Sequence, residues 1–182
     1  MKALSPKRKG VKPMGSGVSG SYSGTILKSQ PYAPSYSVTP DLLENDKKDS
    51  DIYDSNEGYF KNPSATNLEG AIIGDSVYID GKKAHGIMTY VMDEKGNIIF
   101  GKRVNPKNPQ KRAPHPTLIG GVDPKVQCAG MITFSKGKIV SIDNKSGHYK
   151  PNIKSLDSVD SAIEKIGKKY PNVLNNKSKW RK

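Results

Sequence analysis

Two histidines stand at opposite ends of one predicted β-hairpin, in the stretch from His115 to Pro151. His115 lies between two prolines, and His148 belongs to the run SGHYKP, which adds a glycine hinge, a phenol and an ammonium within six positions. Imidazoles titrate near neutral pH and can therefore act as general acids and bases. The spacing predicts an acid–base site built on the two ends of the hairpin.

The chemistry that fits these residues best is metal-independent cleavage of RNA by transesterification. This reaction needs a base at the 2′-hydroxyl, an acid at the leaving oxygen and cations for the charge that develops on phosphorus. His115 and His148 supply the first two roles in this hypothesis. The other candidates are Tyr149 and Lys150 as further catalytic residues, and Lys111, Arg112, Arg103 and Ser146 as substrate-binding residues. The hypothesis requires no cofactor and no metal.

Two further functions stay open at this point. Transfer of ADP-ribose from NAD can use a histidine, a tyrosine and a glutamate, but the only glutamate after Glu94 is Glu164, on a predicted helix. NAD would be the cofactor only in that case. A non-enzymatic module could instead hold nucleic acid or an acidic protein through its basic surface, and its binding would weaken steeply with salt.

Each candidate residue also has a structural interpretation. His148 could be a buried histidine that locks the turn, His115 an exposed loop histidine, and His85 a structural residue before a strand. Cys128 lies in an apolar strand and is interpreted as packed core. A metal site is disfavoured because no HxH or HxxxH spacing places two ligands on one element.

The composition indicates a polyanionic partner. Thirty Lys and Arg against 17 Asp and Glu give a formal charge of +13, which favours RNA, an acidic protein or an anionic membrane surface. The single cysteine excludes an intramolecular disulfide. Neither a transmembrane segment nor a Sec signal peptide is visible, so we expect the protein to be cytoplasmic in its producer and, if exported, to use a specialised secretion system. We also expect a monomer.

Charge and turn residues divide the chain into three predicted regions. Residues 1–60 are expected to be a flexible leader, basic and rich in Gly, Ser and Pro at first, then acidic over 41–57, where seven of the 17 acids fall. That acidic block either is a solvated linker or folds back over a basic face. Residues 61–175 are expected to fold, and 176–182 form a basic tail.

The folded region is predicted to be α+β. Strands are expected at 87–92 and 97–103, joined by Asp93-Glu94-Lys95-Gly96, and at 126–135 and 138–143, joined by Lys136-Gly137. These two hairpins predict a four-stranded antiparallel meander. A helix capped by Ser155 should pack on this sheet. The apolar face of the helix contains Leu156, Val159, Ile163, Ile166 and Tyr170.

The order of these motifs resembles the SGHY-P domain shared by C-terminal domains of bacterial polymorphic toxins and the plant IQ-motif calmodulin-binding proteins. The resemblance runs from Met88 to Pro151 and rests on the hairpin TYVMDEKGNIIF, HPTLIGG after His115, the Cys128-Ala129-Gly130 run, the GKI turn and SGHYKP. The IQxxxRGxxxR helix of the plant proteins has no counterpart. The short basic chain and its leader look more like a bacterial toxin or delivered effector than like the plant proteins. If the chain is a toxin, we expect its producer to encode an acidic immunity protein that covers the basic loop around Lys111 and the SGHY turn.

Overall fold

The computed structural model of the protein describes residues 35–105 and 107–174. The predicted basic leader up to residue 34 and the predicted basic tail at 176–182 lie outside these ranges. The described residues all belong to one compact unit.

Most regular elements of the described ranges are short strands. In chain order the elements are α1 (Pro40–Lys47), β1 (Tyr53–Asp54), β2 (Gly58–Tyr59), β3 (Thr66–Asn67), β4 (Ile72–Ile73), β5 (Ser76–Ile79), β6 (Lys82–Lys83), β7 (Gly86–Asp93), β8 (Ile98–Gly101), β9 (Val126–Ser135), β10 (Lys138–Ile142) and α2 (Leu156–Lys169). Single 3₁₀ turns occupy Glu69–Ala71, His115–Leu118 and Ile153–Ser155. The predicted α+β class is confirmed.

The central sheet contains both predicted hairpins but is not a meander. Its order across the described residues is β10-β9-β7-β8-β3, and every pairing is antiparallel. The first strands of the two hairpins, β7 and β9, pair with each other from Gly86↔Phe134 to Asp93↔Val126. They are the two longest strands, so their pairing forms more ladder hydrogen bonds than a pairing of β8 with β9 would. The proline-rich segment between β8 and β9 is long enough to cross the sheet.

Both predicted turns close as their residue types indicate. Lys136 and Gly137 have φ values of 49° and 85°, the positive pair that a two-residue turn between twisted strands requires. In the other turn Gly96 has φ 90° and donates its N–H to the carbonyl of Asp93. The Asp93 carboxylate also accepts the N–H groups of Lys95 and Asn97.

Helix α2 covers one face of the central sheet with the apolar stripe that its sequence predicts. Leu156, Val159 and Ile163 are fully buried against β7 and β9 side chains such as Tyr90 and Ile132. Burial of each such aliphatic side chain contributes about 1.5–3 kcal/mol. Ser155 is the N-cap residue of α2, as predicted, but its side chain makes no capping hydrogen bond. Ser155 has helical angles, because a 3₁₀ turn precedes the helix, and its hydroxyl donates to the carbonyl of Asn152.

The opposite face of the sheet is covered by the segment that the sequence suggested as an acidic linker. Val38, Ile52 and Tyr59 are buried there with Val91 and Val126. Residues 35–60 are therefore part of the fold, and the boundary expected at residue 60 falls inside the compact unit.

The described part of the chain contains no helix that is both long enough and apolar enough to cross a membrane.

Candidate functional site

His148 contacts a carboxylate that comes from the other end of the described chain. Its Nε2 lies 2.9 Å from Oδ2 of Asp46, and the hydroxyl of Tyr59 donates to the same oxygen at 2.5 Å. Asp46 is 8% exposed and Tyr59 only 3%. Burial and the hydrogen bond to Asp46 raise the pKa of Tyr59 well above its ordinary value. The phenol is therefore a fixed donor, and both partners contact the same oxygen of Asp46.

Helix α1 and strand β2 bring these three residues together. Asp46 lies in the last turn of α1, whose N-cap residue Thr39 donates its N–H to the carbonyl of His148 at 2.8 Å. Tyr59 follows Gly58, which pairs in β2 against β1 and has no room for a Cβ, because that atom would lie 2.2 Å from the carbonyl oxygen of Gly121. The turn that carries His148 is thus held at its backbone and at its side chain.

This geometry leaves one ring nitrogen of His148 for chemistry. When Nε2 carries the proton that it donates to Asp46, the other nitrogen, Nδ1, has a lone pair. Nδ1 has no hydrogen-bond partner within residues 35–105 and 107–174, and 19% of the side chain remains exposed. A histidine oriented by a buried carboxylate and open on one edge can act as a general base, since the carboxylate stabilises the imidazolium that forms.

His115 is buried, so the exposed-loop interpretation of this residue is wrong. It opens the 3₁₀ turn His115–Leu118 and is 6% exposed. Nε2 lies 2.8 Å from the carbonyl oxygen of Gly130, and Nδ1 lies 3.2 Å from Oγ of Ser146. Because a carbonyl only accepts, Nε2 must carry the proton, and Nδ1 accepts from the serine hydroxyl. Both nitrogens are occupied, so His115 holds the SGHY turn against β9 and is not placed to exchange protons with a substrate.

His115 is expected to make the protein less stable in mild acid. Burial lowers the pKa of His115 to about 4, whereas its value in an unfolded chain is 6.5. Between these values the unfolded state binds more protons, so the free energy of unfolding falls as pH falls. From pH 7 to pH 5 the loss from this group is about 2 kcal/mol. Urea unfolding of wild type and His115→Gln at both pH values should show it, with a smaller pH dependence in the variant. An equal dependence in both proteins would contradict this assignment.

Ser146 and Tyr149 are also internal parts of the turn. Ser146 is 7% exposed, and its hydroxyl oxygen accepts the N–H of Tyr149 at 3.3 Å. Tyr149 is 2% exposed and donates its hydroxyl to the carbonyl of Pro124 at 2.6 Å. Burial raises the pKa of Tyr149 well above its ordinary value. Neither side chain presents a surface on which a base could stack. Lys150, in contrast, is exposed and has a φ of 46°.

The predicted substrate-binding cations have different surroundings. Lys111 forms ion pairs with Asp51 at 3.1 Å and Asp49 at 3.4 Å, so the acidic block does fold back over a basic residue. Burial and the charge of Arg112 lower the pKa of Arg103. Arg112 itself is exposed. The charges of His148 and Arg103 both lower the pKa of His115, which places these groups around the same buried imidazole.

Cys128 and Asp143 serve the fold. The Cys128 thiol is buried between the hydroxyls of Tyr90 and Ser155, and burial raises its pKa, which disfavours the reactive thiolate. A carboxylate oxygen of Asp143 accepts the N–H groups of Met131 and Lys145.

No group of three His, Cys, Asp or Glu side chains suited to a metal ion occurs in the ranges that the structure describes.

Two residues of this region were not found from the sequence: Asp46 and Tyr59. Asp46 was one of seven acids in its block, and it lies 102 positions from His148. The change from basic to acidic residues after position 40 was the only feature of the sequence that indicated contact between the acidic block and a basic surface.

The chain matches no protein-family model, no curated protein and no solved structure. The resemblance to the SGHY-P domain therefore stays a prediction from the motifs, and the function has to be argued from the site.

Proposed function

We propose that the protein is a toxin-like effector that cleaves RNA without a metal ion and uses His148 as its base. The observation that supports this most is the Tyr59–Asp46–His148 arrangement, in which Asp46 orients the imidazole and one nitrogen stays open. Arg103 lies near the same buried imidazole of His115 as His148 does, and Arg112 lies near Arg103, which suits a polyanionic substrate. The two-histidine version of the mechanism has less support, because His115 is buried with both nitrogens bonded.

In the proposed reaction Nδ1 of His148 accepts the proton of a ribose 2′-hydroxyl, and the 2′-oxygen attacks the adjacent phosphorus. The bond from phosphorus to the 5′-oxygen breaks and leaves a 2′,3′-cyclic phosphate. We assign protonation of the leaving oxygen to the ammonium of Lys150, which is exposed two residues after His148. The proton that His148 took up then passes to water, and Lys150 takes a proton back from water, so both groups return to their starting states. The guanidinium groups of Arg103 and Arg112 stabilise the charge on the phosphorane.

The two alternatives have weaker support. For ADP-ribosyl transfer, Glu164 lies on α2, which covers the face of the sheet opposite to Asp46. Glu94 lies at the turn after β7, where it accepts a hydrogen bond from Ser35. A purely binding role accounts for the basic surface but assigns no purpose to the oriented imidazole.

The toxin-like role carries expectations about partners. A cell that produces a ribonuclease toxin needs an inhibitor of it. The basic residues around the SGHY turn favour an acidic inhibitor, because opposite charges make the association fast. Action on a target cell would require delivery by a specialised secretion system.

Wild-type protein is expected to cleave total RNA in EDTA and without NAD, and to leave the matching DNA intact, because DNA lacks the 2′-hydroxyl. The products, separated on a gel and end-analysed, should carry 2′,3′-cyclic phosphates. His148→Gln is the matched variant, since its amide can still donate to Asp46 but cannot act as a base. Equal cleavage by both proteins would point to a contaminant. Intact RNA with wild type would overturn the proposal and make labelled NAD the next substrate to test.

A further inference from the structure

The loop between β8 and the His115 turn contains two buried donors without acceptors. Nε of Arg103 and Nδ2 of Asn105 are shielded from solvent, and neither has a hydrogen-bond partner in the part of the chain that the structure describes. Asn105 is only 1% exposed. Buried donors in native proteins nearly always find an acceptor, because leaving one unpaired is destabilising. These two donors lie two residues apart in one loop, and either a buried water or a bound anion would supply the acceptor that they lack.

The orientation of the Asn105 amide is fixed by its other end. Its Oδ1 accepts the N–H groups of Lys107 at 2.9 Å and Asn108 at 3.1 Å. Because an amide nitrogen cannot accept these bonds, the oxygen must face this turn and Nδ2 must face away from it. The donor is thus held in place before any ligand arrives.

A third group, Arg112, is brought to the same place by the loop. The N–H of Asn105 donates to the carbonyl of Lys111 at 3.3 Å, which closes the base of the loop and places residue 112 beside residues 103–105. Two guanidinium groups repel each other there unless an anion lies between them. Lys111 adds little positive charge, because Asp49 and Asp51 neutralise it.

We propose that Arg103, Asn105 and Arg112 form a binding site for a phosphate group. The charge of Arg112 acts on Arg103, and an oxyanion offers several acceptors that guanidinium groups match well. The identification of this phosphate as a phosphodiester of RNA rests on the proposed function. A free phosphate ion has the same chemistry, so the test uses both.

The test is a titration of the ¹⁵N-labelled full chain, followed at the Arg103 Nε–H and Asn105 side-chain amide resonances. One arm uses inorganic phosphate and the other a 2′-deoxy oligonucleotide, which cannot be cleaved. We expect both resonances to move in both arms. Movement with phosphate alone would assign the site to a free ion and overturn its role in RNA binding. Resonances that stay in place in both arms would overturn the site.

Two variants and a matched control separate this site from general surface charge. Arg103→Gln should weaken phosphate binding by about tenfold or more. Asn105→Asp keeps the acceptor for the turn but replaces the donor with a negative charge, and should abolish binding. Lys102→Gln removes the same charge from the neighbouring residue, whose ammonium is paired with Asp80 at 2.9 Å, and should change binding by less than about twofold. Equal weakening by Lys102→Gln and Arg103→Gln would overturn the proposal.

The outcomes for site and function are distinguishable. Phosphate binding at Arg103 and Asn105 without RNA cleavage would support the site and overturn the ribonuclease. If the wild type cleaves RNA but Arg103→Gln binds phosphate and oligonucleotide as tightly as wild type, the ribonuclease is supported and the phosphate site is overturned.

Discussion

Gly130→Ala is expected to destabilise the protein by about 3 kcal/mol or more, enough to unfold much of a marginally stable domain. A Cβ at this position of β9 would lie 2.1 Å from the carbonyl oxygen of Asp143 and 2.8 Å from its carboxylate. These atoms cannot retreat easily, because the same carbonyl accepts the Tyr90 hydroxyl at 2.6 Å and the carboxylate accepts the N–H of Met131. The carbonyl of Gly130 also holds His115, so a shift of the strand would loosen the SGHY turn.

Gly147→Ala is the matched control for this prediction. Gly147 lies in the same region, but a Cβ there meets nothing within 4 Å, and its φ is outside the left-handed range. Its free energy of unfolding should stay within about 0.5 kcal/mol of wild type. Urea unfolding followed by circular dichroism compares the three proteins. Similar midpoints for Gly130→Ala and wild type would show that β9 and Asp143 are farther apart than the structure has them.

The parts of the fold that the sequence predicts well are those governed by local patterns. The hairpins at Gly86–Gly101 and Val126–Ile142 follow from alternating apolar residues and from turns whose glycines take positive φ. Helix α2 follows from apolar residues at a helical period. Each of these signals is contained within about 20 residues, so no knowledge of the rest of the chain is needed to read it.

The order of the strands and the position of α1 could not be predicted in this way. The pairing of β7 with β9 depends on the connection between β8 and β9, and no local sequence pattern predicts which strand β9 will pair with after that connection. Helix α1 is short and acidic, and its stability comes from packing Leu42 and Leu43 near the sheet rather than from its own propensity. Because α1 carries Asp46, missing the helix also meant missing the partner of His148.

The two histidines show why residue type alone could not assign their roles. Both stand in proline-bounded turns, and the sequence predicts an acid–base role for each of them. His115 is buried and donates to a backbone carbonyl, whereas His148 meets a carboxylate and keeps an open edge. Burial and partner identity are tertiary properties, and they decide which imidazole can take up a proton.

His148→Gln is expected to lower the rate of RNA cleavage by about 10²–10⁴-fold, the range typical of removing a general base. The fold should persist, because the glutamine amide can replace Nε2 as a donor to Asp46 while nothing replaces Nδ1. His148→Ala opens a space beside Asp46, and added imidazole should restore part of its activity. Rescue of this kind is specific to a lost acid–base group, since a merely structural defect would not respond to imidazole.

Asp46→Asn tests whether the orienting carboxylate contributes through its charge. The amide oxygen can still accept from His148 and Tyr59, so the shape of the site is kept, but the negative charge that stabilises an imidazolium is lost. We expect the rate to fall by at least about tenfold with little change in the KM for RNA, because the effect acts on proton transfer rather than on substrate binding. Tyr59→Phe leaves the charge in place and should reduce the rate less. If Asp46→Asn cleaves RNA as fast as wild type, His148 does not depend on its carboxylate, and the pair only anchors α1 to the SGHY turn.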